Sequence, residues 1–77
     1  MKVRAKFQNN YVGRYADGSS QVWMNAVYSD DPDSENKKFS DATPNGSFMM
    51  TVKAGEVADF FKANEGKQFY LDMTVTD

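Results

Sequence analysis

Lys2, Arg4 and Lys6 alternate with Val3, Ala5 and Phe7 at the start of the chain. On a β-strand, whose side chains point alternately to opposite faces, that spacing puts three cations on one face and three apolar groups on the other. The chemistry such a row offers is electrostatic. Ammonium and guanidinium groups meet phosphates, and where aromatic rings share the face, bases stack on them at about 1–3 kcal/mol each. Covalent chemistry has no comparable candidate. The chain contains no histidine and no cysteine, so the usual general base, thiolate nucleophile and zinc ligands are missing. Asp30, Asp31, Asp33 and Glu35 could meet a divalent cation, but the segment lacks the glycine and the distal glutamate of a calcium loop and reads as solvated. Asp72 and Asp77 carry no sign of the burial that would tune a carboxylate pair. Neither an enzyme nor a cofactor or metal is expected.

The elements that position these residues must come from a small module. Seventy-seven residues allow one domain, 1–77, with one core. A hydrophobic fraction of 40% and an aromatic fraction of 14% make a folded state plausible without disulfides. The absence of cysteine fits a reducing compartment, and no apolar run approaches the roughly 20 residues that span a bilayer, so a cytoplasmic protein without membrane contact is expected. The net charge of −2 disfavours indiscriminate polyanion binding, yet four of the eleven acidic residues lie between Ser29 and Asn36. Outside that segment nine cations face seven anions, so a basic surface is compatible with the acidic total.

Along the chain, Lys2 to Gln8 alternates cleanly, Asn9-Asn10 interrupts, and Tyr11 to Tyr15 resumes extended character. A bulge or bend near Asn9 and Gly13 is expected. Asp17-Gly18 marks a hairpin, followed by a strand over Gln21 to Tyr28 whose two faces are both partly apolar. Lys37-Lys38-Phe39 reads as a short edge piece, and Thr43-Pro44-Asn45-Gly46 as a turn. Ser47 to Lys53 reads as a third strand. Ala54 to Asn64 has helical spacing, with Val57, Phe60 and Phe61 as a core stripe and Gly66 past its end. Lys67 to Thr76 returns to period two, with Phe69, Leu71, Met73 and Val75 inward. The fold class is mainly β with one helix. Two architectures fit: a small OB-like curled antiparallel barrel capped by the helix, or a flat four-stranded antiparallel sheet with the helix packed on one face.

In either case the side away from Phe7, Met50, Phe60 and Leu71 carries Lys2, Arg4 and Lys6, with Met49, Thr51, Lys53 and Tyr70. Trp23 and Asn25 are candidates for the same side. Competing readings stand beside these. Alternating Lys and Arg also serve as solvent-facing edge protection. A lone tryptophan in a small domain ordinarily anchors packing, which makes the core the first expectation for Trp23.

The opening MKVRAKF, the segment AVYS with SENKKFSDATPNGSFMMTV, and the ending FF…GKQFYLDMT resemble a group of short proteins of tailed bacteriophages that carry no assigned activity. The resemblance implies a viral protein acting in the cytoplasm of an infected bacterium and supplies no site residues. The long acidic loop from Ser29 to Asn36 departs from that pattern.

Two functions from different classes follow. The first is binding of single-stranded nucleic acid in replication or recombination, with Lys2, Arg4, Lys6, Arg14 and Lys53 on phosphates and Trp23 and Tyr70 stacking. The second is a protein-interaction module with a host or phage partner, as a counter-defence, accessory or minor structural protein. A homodimer is compatible with both, because so small a sheet exposes edges and apolar surface.

Overall fold

In the computed structural model, which describes residues 3–28, 36–42 and 45–76, four antiparallel strands form one sheet in the order β3-β2-β1-β4. The strands are β1 (Val3–Arg14), β2 (Ser20–Ala26), β3 (Ser47–Val52) and β4 (Gln68–Met73). Two helices, α1 (Lys37–Ala42) and α2 (Glu56–Ala63), complete the set. The mainly β expectation holds, in its open form: β3 and β4 are edge strands, and no pairing joins them into a barrel among the described residues. The acidic residues Asp30 to Glu35, the Thr43-Pro44 half of the expected turn, Lys2 and Asp77 lie outside the described residues.

β1 is long because it serves two neighbours. Val3–Gln8 pairs with β4, and Phe7–Arg14 pairs with β2. The register slips between Asn9 and Tyr11, which is the expected bulge. An inserted residue reverses the in-out parity downstream. Ala5, Phe7 and Asn9 point to the core before it, and Val12 does so after it. The hairpin to β2 closes on the Asp-Gly signal. Gly18 has φ 89°, and Asp17 Oδ1 accepts from both the backbone N–H and the hydroxyl of Ser19, at 2.9 and 2.6 Å.

The core is a layer on one face of the sheet. Ala5, Phe7, Val12, Val22 and Met24 form its centre, with Phe39 of α1 and Phe61 of α2 packed against them. Lys37–Ala42 is therefore a helix and not the expected edge strand. Phe39 uses that helix to bring its ring to 5.9 Å from Phe7. The expected stripe on α2 is also corrected. Ala58 is buried and Phe61 half-buried, but Val57 and Phe60 remain 57% and 52% exposed. A two-turn helix lying across one part of the sheet turns only its Ala58 and Phe61 side fully inward. Val75, expected inward beyond β4, is exposed past the strand end.

Two buried asparagines join helices to sheet. Asn9 sends its side-chain N–H groups to the carbonyls of Phe61 and Asn64, at 3.0 and 3.3 Å, so β1 adds a second donor to carbonyls at the end of α2 that also accept from Asn64 N–H and Lys67 N–H, at 3.3 and 3.1 Å. Beside it, Gly66 N–H donates to Asn9 O and Asn9 N–H to Lys67 O, which carries the turn after α2 along the edge of β1. Where β1 and β2 begin to diverge, Asn36 is spliced into the ladder. Its Oδ1 accepts from Lys6 N–H at 2.8 Å and its Nδ2 donates to Val27 O, while Val27 N–H still reaches Lys6 O directly.

Candidate nucleic-acid interface on the open face

The face opposite the helices belongs to alternate residues of all four strands. From the register, Arg4, Lys6, Gln8 and Tyr11 of β1 stand beside Trp23 and Asn25 of β2, Ser47, Met49 and Thr51 of β3, and Gln68, Tyr70 and Asp72 of β4. Trp23 is on this face, 42% exposed, and not in the core as first expected. Val22 and Met24 take the inward positions beneath the helices, and their neighbour in the pleat must point the other way.

Two clusters result. In the first, Tyr11 pairs with Trp23 and Trp23 with Met49, so one row across three strands carries two aromatic rings and a thioether. Directly opposed residues have Cβ atoms about 4.5–5.5 Å apart, which makes the row a continuous platform. Tyr11 is 56% exposed, and its ring leans along the strand over Gly13: a Cβ built on Gly13 would fall 2.8 Å from the Tyr11 Cε2 and Oη atoms. The glycine gives the ring its resting place. Gln21 Nε2 donates to the Met49 sulfur at 2.8 Å, which holds the far end of the row.

In the second cluster, Tyr70 of β4 is opposed by Lys6. The Arg4 guanidinium carbon and the Lys6 ammonium stand 5.0 and 5.4 Å from the Tyr70 ring centroid, a cation–π arrangement. Arg4 also meets Asp72, its cross-strand partner, in a two-pronged pair of 2.7 and 3.1 Å. The pair is partly exposed, so it contributes at most about 1 kcal/mol. Lys6 pairs with no carboxylate among the described residues, and its backbone is pinned by Asn36.

The other expected phosphate ligands are elsewhere. Arg14 lies beyond the bulge, where parity is reversed, and reaches Asp59 of α2 at 3.0 Å on the helix side of the sheet. It does not join Arg4 and Lys6. Lys53 is exposed in the connection after β3, outside the ladder, and Lys2 is outside the described residues. Tyr11 and Met49 complete the row. Met49 is legible on this face from the alternation of Ser47 to Lys53, whereas Tyr11 reaches it only through the parity reversal that the Asn9-Asn10 interruption signals. No cluster of three or more acidic residues able to hold a metal ion occurs among the described residues. No described helix is long and apolar enough to cross a membrane.

Comparison of the chain with protein-family models, with curated proteins and with solved structures finds no match.

Proposed function

We propose that the chain is a small binding module whose working surface is the open face, and that its ligand is single-stranded nucleic acid. Bases stack on Trp23 and Tyr11, and the backbone passes Lys6 and Arg4 beside Tyr70. The observation that carries the reading is the exposed Tyr11–Trp23–Met49 row on the same face as those two cations. Rings of this kind accept any base, because each base has a π-face, and the module therefore reads strandedness more than sequence. The setting proposed for it is phage replication or recombination in a bacterial cytoplasm, on the strength of the sequence resemblance.

The single tryptophan supplies the test. Titration with a single-stranded oligonucleotide at low salt is expected to quench Trp23 emission, and Trp23→Ala is expected to lose about 1–3 kcal/mol of affinity, or roughly tenfold or more. Emission indifferent to oligonucleotide at tens of micromolar protein would remove the reading. A protein ligand on the same face is the second reading. Asp72 beside Arg4 and the net charge of −2 favour it, and Trp, Tyr, Met and Arg are the residues that anchor protein interfaces. Capture of a host protein that persists after nuclease treatment and is lost in Trp23→Ala would select it.

A further inference from the structure

Stacking leaves the choice of base open, because an aromatic ring accepts the π-face of any of them. Base edges carry the distinction. Between the two clusters of the open face runs a row of uncharged hydrogen-bonding side chains, one from each strand: Gln68 opposes Gln8, Gln8 opposes Asn25, and Asn25 opposes Ser47. Asn25 lies two residues after Trp23 on β2, and Gln68 two residues before Tyr70 on β4. Each ring thus has an amide beside it on its own strand and face, about 7 Å along the strand. A base lying over either ring meets that amide with its edge. Gln8 stands between the two. Its Nε2 donates to Gly66 O at 3.3 Å, and because a carbonyl can only accept, that bond fixes which way the amide is turned. The Gln8 Oε1 stays available as an acceptor. Asn25 and Gln68 are exposed, and their amides meet no hydrogen-bond partner among the described residues, so each offers a donor and an acceptor side by side.

We infer that this row, resting on the reading that the open face binds single-stranded nucleic acid, selects bases that carry an exocyclic amino group, adenine foremost, over thymine. An amide matches adenine with two bonds, one from the amino group to the amide oxygen and one from the amide N–H to a ring nitrogen. Adenine has ring-nitrogen acceptors on both sides of its amino group, and a single strand leaves both edges open. Cytosine offers one such edge. Thymine has no amino group, and its one ring N–H is flanked by carbonyl oxygens that repel Gln8 Oε1. The rings therefore hold the strand, and the amides between them choose among its bases.

Trp23 emission of the full chain, titrated with deoxyadenosine, deoxycytidine and deoxythymidine oligonucleotides of equal length, reads both binding and selection. The first two are expected to bind about fivefold or more tightly than the third. An oligonucleotide of purine deoxyriboside, which keeps the adenine ring and lacks its amino group, is expected to bind no better than the thymidine one. This arm needs no variant protein. Asn25→Ala and Gln68→Ala, both at exposed positions, are expected to bring the adenine-to-thymine ratio toward one while thymidine affinity stays within about twofold of the parent. Quenching by all oligonucleotides with thymidine bound as well as either of the others overturns the inference and leaves the reading of the open face standing. So does an adenine preference that persists without the amino group or in both alanine variants. Emission indifferent to every oligonucleotide removes that reading, and the selection with it.

Discussion

At the scale of single residues, the polar groups that are buried reveal more than the charges that are exposed. Asn9 and Ser20 are both fully buried, but only Asn9 has partners for its donors. The Ser20 hydroxyl meets none. Burying a hydroxyl without a hydrogen bond costs about 1–3 kcal/mol, so Ser20→Ala is expected to be neutral or to raise stability by up to about 1 kcal/mol, read as the midpoint of urea unfolding. Glu65 shows the reverse arrangement. Its carboxylate accepts from Val12 N–H at 2.7 Å and from Lys62 at 3.1 Å, and these bonds, the backbone one first, hold its pKa below the ordinary 4.5. A carboxylate with a lowered folded pKa stabilises fully above its unfolded value and loses that contribution as pH falls through the folded one. Glu65→Gln is therefore expected to be less stable than the parent at pH 7. The difference should close on acidification below pH 4.5, followed by thermal unfolding at a series of pH values.

At the scale of elements, Asn36 fixes both the start of α1 and the separation of β1 from β2. Asn36→Ala would leave Lys6 N–H and Val27 O facing a gap and is expected to cost about 1–3 kcal/mol, with faster amide exchange at Lys6. Gly13 sets a different constraint. Its φ is not in the left-handed region, so alanine is compatible with the backbone, but the added methyl displaces the Tyr11 ring. Gly13→Ala is expected to leave stability within about 0.5 kcal/mol and, under the proposed function, to weaken oligonucleotide binding in the same direction as Tyr11→Ala.

The same elements show what the sequence discloses. The alternation of Lys2 to Phe7, the Asp17-Gly18 turn and the period-two run after Gly66 are local patterns, and the strands they imply are present. Trp23 was illegible because β2 is apolar on both sides, and its outward face is decided by where the helices lie. Six residues of α1 are too few for a 3.6-residue period to show. Arg14 differs from expectation by one step: the bulge is legible, but it reverses the face of every later residue of β1 and so turns Arg14 toward the helices. The roles of Asn9 and Asn36 depend on carbonyls and amides 52 and 30 residues away, beyond any local pattern.

For the whole molecule, the distribution of charge makes the binding proposal quantitative. Three cations in a row with Arg14 and Lys53 beside them would imply affinity that collapses as salt rises. The folded chain brings only Arg4 and Lys6 to the open face among the described residues, and sends Arg14 to Asp59 on the other side. Each phosphate neutralised on a single strand contributes about −0.7 to the slope of log K against log salt. Two contacts give about −1.4, far shallower than the dependence of proteins that hold nucleic acid by charge. On the proposed function, stacking then supplies most of the affinity. Oligonucleotide titrations between low and physiological salt are expected to show that slope in the parent and about −0.7 in Lys6→Gln. Trp23→Ala, which removes a ring and no charge, should lower affinity at every salt concentration without changing the slope. A parent slope steeper than about −3 would mean that phosphates are held by cations away from this face, and the aromatic row would lose its central place in binding.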